Sequence, residues 1–234
     1  SVMKHVKFRP WKGDNYEQIP QGKKLLILGD SHYCAKDKNR NDACRSKGDC
    51  SYDCMNDCCY KMTHNLIRDE YLEFRSGRKK SEGYLQTILT FEKNLFGYTP
   101  SPQESINFWN SVIFYNYIQH SQYKPRSRRK TEAEEIDDYK EAFKEVLAEY
   151  QPDYIIIWSK FLFTQDWLPD GAFEAPDYTL KAEYNGVIYN TPVRTFKLDG
   201  GKLIRAIITQ HPCCRYGKDQ AKWHALLKAF FETK

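Results

Sequence analysis

No run of apolar residues in this chain is long enough to cross a membrane. Leu25-Leu26-Ile27-Leu28 and Tyr154-Ile155-Ile156-Ile157-Trp158 are the length of strands, so no membrane partner is expected. Internal repeats and low-complexity tracts are missing too, which excludes solenoids and arrays. Strong charge of one sign is lacking. A formal +5 on 234 residues is too weak to mark a nucleic-acid binder by itself. No secretory segment is visible, so the expected location is the cytoplasm, where a disulfide framework is not the default. C-x-x-C pairs, a common metal and redox spacing, do not occur.

What is present is one domain's worth of chain, 1–234, with 41% hydrophobic and 29% charged residues, an ordinary globular balance. Aromatics reach 15%, with 17 Tyr, enough for stacking surfaces as well as a core. Eight cysteines occur. Six lie between Cys34 and Cys59, and the other two are the adjacent pair Cys213-Cys214. Cations cluster in Lys124-Pro125-Arg126-Ser127-Arg128-Arg129-Lys130 and again in Arg75, Arg78, Lys79 and Lys80. These runs suit either solvated loops or phosphate contact.

Short apolar runs alternate with amphipathic stretches. Strands are predicted near Lys24–Leu28, Val112–Tyr117, Tyr154–Trp158 and Leu203–Ile208. Helices are predicted over Thr63–Arg75, Tyr84–Leu95, Phe161–Trp167 and Asp219–Phe231. Ser101-Pro102-Gln103-Glu104 and Thr131-Glu132-Ala133-Glu134 read as capping boxes that open two more helices, the second running to about Tyr150. Asn185-Gly186 reads as a hairpin turn between Leu180–Tyr184 and Val187–Tyr189. The residues from about 34 to 62 form a polar, Cys-rich insertion. This alternation implies an α/β protein whose mainly parallel sheet is covered on both faces. In such sheets ligands bind at the carboxyl ends of strands.

Three strands end in residues capable of chemistry. The first exits into Gly29-Asp30-Ser31-His32-Tyr33. There Asp30 can orient water, Ser31 can act as nucleophile or donor, and His32 can act as acid, base or ligand. The alternative is a turn whose Asp30 and Ser31 cap backbone groups. Asn116 ends the second strand, with an amide able to read a base edge or to satisfy local backbone. His211-Pro212 follows the last strand, where a neutral histidine can donate to a developing anion or simply cap a loop.

Together these motifs resemble the uracil-DNA glycosylase superfamily. That family carries G-Q-D-P-Y-H or G-E-A-P-G after its first core strand, an Asn after a later strand, and H-P-S after the last. Here the segments read Leu28-Gly29-Asp30-Ser31-His32-Tyr33, Phe114-Tyr115-Asn116 and Gln210-His211-Pro212-Cys213. The chain is also similar to a divergent bacterial branch with Pro10-Trp11-Lys12-Gly13, a G-D/E-S-H-Y turn and Phe108-Trp109-Asn110-Ser111-Val112. The resemblance implies a three-layer sandwich around a mainly parallel four-stranded sheet. It implies a nucleic-acid partner, DNA in preference to RNA, a flipped base, and hydrolysis of its N-glycosidic bond without a cofactor. Asp30 and His211 would be catalytic. Ser31, His32, Tyr33 and Asn116 would line the base pocket, and Lys124, Arg126, Arg128, Arg129 and Lys130 would hold the backbone. A monomer is assumed. Ser31 stands where one branch has its water-activating Asp, His32 replaces the Pro, and Cys213 replaces the Ser of H-P-S. These departures point to another substrate, or to binding without cleavage, as in a host-defence protein.

A serine esterase of the G-D-S type is the alternative enzyme, with Ser31 as nucleophile. It would need a D-x-x-H pair, but Ile208 precedes His211 and Ala221 precedes His224 at that spacing. In the insertion, Cys50, Cys54 and Cys58 recur every four residues, with Cys44 nearby. This is a candidate set for structural zinc or an iron–sulfur cluster, with disulfides or free thiols as the alternatives.

Overall fold

A computed structural model describes residues 3–32, 60–119, 133–171 and 178–233. The described strands are β1 (Trp11–Lys12), β2 (Leu25–Gly29), β3 (Ile113–Asn116), β4 (Tyr154–Ile157), β5 (Tyr178–Tyr184), β6 (Val187–Lys197) and β7 (Leu203–Ile208). They form one seven-stranded sheet in the order β1-β3-β2-β4-β7-β6-β5. The protein is therefore α/β. The four strands expected from sequence lie side by side and parallel at its centre. The expectation of a four-stranded sheet needs correction, because the expected hairpin forms but belongs to the same sheet. The hairpin of β5 and β6 joins antiparallel beyond β7, and two residues of β1 pair antiparallel with β3. Backbone pairing drives this extension, since an unpaired edge exposes a row of polar groups.

Each central strand alternates its side chains between two cores. On one face Leu26, Leu28, Ile113, Tyr115, Ile155 and Ile157 meet helix Ala133–Tyr150 through Tyr139, Phe143, Val146 and Leu147. On the other, Ile27, Phe114, Ile156 and Ile207 meet helices Gly83–Phe96 and Gln220–Glu232 through Leu85, Ile88, Phe91, Trp223, Leu226 and Phe230. In chain order the helices are α1 (Met62–Asn65, Leu66–Tyr71 and Leu72–Arg75 in succession), α2 (Gly83–Phe96), α3 (Pro102–Trp109), α4 (Ala133–Tyr150), α5 (Lys160–Thr164) and α6 (Gln220–Glu232). The middle stretch of α1 is π-helical, a local widening that the apolar spacing of the sequence does not signal.

Local chemistry sets several boundaries. Ser101 Oγ accepts from Glu104 N at 3.1 Å, and Glu104 Oε2 accepts from Ser101 N at 2.7 Å, with Pro102 in the first turn. The expected capping box therefore opens α3. Asn185 and Gly186 take φ of 50° and 77°, the left-handed pair that a two-residue hairpin turn requires. The second expected box begins at Thr131, outside the described residues. The two signature segments near the start and before β3 lie against each other. Trp11 Nε1 donates to Trp109 O at 2.9 Å, and Gly13 N donates to Val112 O at 2.9 Å. A Cβ on Gly13 would overlap the Asn110 backbone, so this close approach needs glycine.

Candidate functional site

The carboxyl ends of β3, β2, β4 and β7 are held in register. Gly29 pairs with Asn116, Leu28 with Ile157, and Ile157 with Ile208. Beyond the paired residues, Trp158 N donates to Leu28 O and Thr209 N to Ile157 O, each at 2.8 Å. Gly29, Asn116, Trp158 and Thr209 thus continue one face of the sheet, two residues past Ile27, Phe114, Ile156 and Ile207. His211 follows two residues after Thr209. Only β4 separates β2 from β7, so the first and last motifs start about 10 Å apart, two strand spacings.

Asp30 is buried, Ser31 half-buried and His32 buried. The Asp30 carbonyl accepts from Ile118 N at 3.0 Å, tying the motif to the chain beyond β3. His32 turns inward. Its Nε2 lies 2.6 Å from Thr63 Oγ1 and 3.0 Å from Asn116 Nδ2, and Phe8 packs on the ring at 4.9 Å. Burial holds its imidazole down at about 3, so it is neutral at ordinary pH. Asn116 is buried as well, its carboxamide lying over Gly29. A Cβ there would overlap Asn116 Oδ1, so the glycine of the motif makes room for the amide.

His211 is half-buried and stands edge-on to Trp158 at 6.4 Å. Its Nδ1 accepts from Cys213 N at 3.2 Å, which places the ring proton of the neutral form on Nε2. The loop is braced from behind. Cys214 N donates to His211 O at 3.0 Å, and Asn94 Nδ2 donates to Gly217 O at 2.8 Å. A Cβ on Gly217 would overlap His211 O, so this turn also requires glycine. Cys213 is exposed, and partial desolvation raises its thiol, with the neighbouring Cys214 and, least, Asp30 adding to the rise. A cavity lined by Phe91, Asn94, Thr209, Gln210, Pro212, Trp223 and Leu227 lies behind this loop; it has room for about one water molecule and none for a base.

Sequence reasoning singled out His32 and Asn116 but not their pairing. It missed Thr63, fully buried at the start of α1, and Trp158, whose buried indole N–H beside His211 has no hydrogen-bond partner among the described residues. A tryptophan closing an apolar run was the one visible signal for Trp158. Thr63 carried none. Tyr33, the candidate backbone contacts Lys124, Arg126, Arg128, Arg129 and Lys130, and the candidate ligands Cys44, Cys50, Cys54 and Cys58 lie outside the described residues. Among the described residues, no group of three or more His, Cys, Asp or Glu is arranged to hold a metal ion. No described helix is long and apolar enough to cross a membrane. Compared with protein-family models and with curated proteins, the chain matches none.

Proposed function

We propose that this chain is a glycosylase-fold hydrolase that cleaves the N-glycosidic bond of a damaged, deaminated or modified nucleotide, in DNA before RNA. One observation carries the reading: Asn116 ends, and Asp30 and His211 follow, the carboxyl ends of three strands within one parallel set, at the same edge of the sheet. That is the order and placement that the resemblance requires. The chemistry follows from the groups. Bond cleavage leaves positive charge on the sugar and negative charge on the base. Asp30 favours the cation and orients water. His211, with Nδ1 occupied by Cys213 N, offers an Nε2 proton to the departing anion. Asn116 supplies the polar edge beside Gly29, while His32 acts behind it rather than on the base.

The test is incubation with oligonucleotides carrying uracil, hypoxanthine, xanthine or hypermodified pyrimidines, followed by detection of abasic sites. His211→Ala should lower turnover by about 10²–10³ with little change in binding, because its bond strengthens only as charge develops. Hydrolysis of simple esters, abolished by Ser31→Ala and without base release, would establish the esterase instead. Oligonucleotide binding with neither reaction would leave a glycosylase-fold binding module.

A further inference from the structure

An amide side chain offers two edges of nearly identical shape, one donating and one accepting. Which edge faces a ligand decides what the ligand must present. In this site the choice is made by residues behind Asn116. His32 Nε2 is approached by two groups, Asn116 Nδ2 at 3.0 Å and Thr63 Oγ1 at 2.6 Å. The amide nitrogen can only donate, so Nε2 presents its lone pair and the imidazole proton sits on Nδ1. The Thr63 hydroxyl, free to rotate, donates to the same lone pair.

The reverse arrangement fails at Gly29. An Nε2 proton would be donated to Thr63 Oγ1, and the carboxamide would have to turn round. Its NH2 would then lie over the Gly29 Cα, which offers no acceptor. With the oxygen there, the contact is with the Gly29 Cα–H, weak but favourable. All three side chains are at most 5% exposed, so water does not replace a lost partner cheaply. They come from three places in the chain: Thr63 from α1, His32 from the turn after β2, and Asn116 from the end of β3.

We infer that Thr63 and His32 are positioning residues, a relay that fixes the Asn116 carboxamide with its nitrogen toward His32 and its oxygen over Gly29. The importance of the relay for substrate choice rests on the glycosylase reading; its geometry does not. The experiment is nuclear magnetic resonance of the full chain with isotope-labelled histidine. His32 should show a pyridine-type Nε2 and a protonated Nδ1, unchanged from about pH 5 to 8. Asn116→Asp puts a carboxylate beside Nε2 and should move the proton to that nitrogen. Thr63→Val removes one of the two partners of Nε2 and should loosen the ring, seen as a doubled His32 signal, and Thr63→Ser should restore the single one; a single unchanged signal in Thr63→Val would remove Thr63 from the relay. An Nε2-protonated ring in the wild type, a ring that titrates in this range, or an unchanged tautomer in Asn116→Asp overturns the relay. None of these readouts needs turnover. Absence of base release would therefore sink the glycosylase reading alone, and a wrong tautomer would sink the relay alone.

Discussion

A histidine buried in its neutral form makes stability depend on pH. Burial holds His32 at about 3 in the folded chain, against roughly 6.5 when unfolded. Between those values the unfolded chain takes up a proton that the folded chain refuses. Stability from this residue is therefore full above about pH 6.5 and falls as pH drops toward 3, by up to about 1.4 kcal/mol per unit. Urea titrations between neutral pH and pH 4 should show that slope, and His32→Gln should flatten it. Equal slopes in both proteins would mean that His32 is protonated in the fold. At this scale the sequence was a partial guide. It marked His32 as chemically capable and placed it facing a base. The structure turns it inward, because a buried imidazole needs a polar partner and Thr63 supplies one, with Phe8 packed on the ring.

Among the helices, one buried carboxylate organises three elements. Glu92, in the middle of α2, is fully buried and accepts from Tyr71 Oη in α1, from Ser105 Oγ at 2.9 Å, and from Trp109 Nε1 at 3.0 Å in α3. Arg75 Nε stands 4.0 Å away and is itself nearly buried. Burial still pushes the Glu92 carboxyl above the ordinary glutamate value. Removing this acceptor strands three donors and takes the nearby negative charge from the Arg75 guanidinium, which keeps only Ser105 Oγ and Pro100 O. Glu92→Leu should cost about 3–5 kcal/mol, and Tyr71→Phe, which removes one partner only, about 1 kcal/mol. Equilibrium denaturation measures both, and a Glu92→Leu variant as stable as the wild type would show that the network holds nothing together. No periodicity flags Glu92, since a glutamate in an amphipathic helix ordinarily faces water. The capping box at Ser101 and the Asn185-Gly186 turn were legible, because both depend on residues within four positions of each other.

Across the whole molecule, one sheet serves two cores. Phe143 lies in the core under α4, and Leu226 in the core under α6. Both pack on the same four parallel strands, whose residues alternate between the two sides. Loss of packing on either face should therefore weaken one cooperative unit. Phe143→Ala should cost about 3–5 kcal/mol and Leu226→Ala about 2–5 kcal/mol. Each should shift a single transition seen alike by tryptophan fluorescence and by circular dichroism. Two separated transitions, with each variant moving only one, would show that the faces fold independently.

The sequence by itself determined the α/β class, the parallel centre and the edge at which polar residues gather. Short apolar runs specify strands buried on both faces, and capped amphipathic stretches specify the helices between them. Those signals are local, so they survive without knowledge of the fold. Only the tertiary structure decided that β1 and the β5–β6 hairpin extend the sheet, and which way each polar side chain turns. His32 meets Thr63 from 31 residues away and Asn116 from 84 residues away, while Asn94 meets Gly217 from 123. A buried polar group must find a partner wherever the packed chain provides one, and at those separations the partner is set by how the strands and helices assemble.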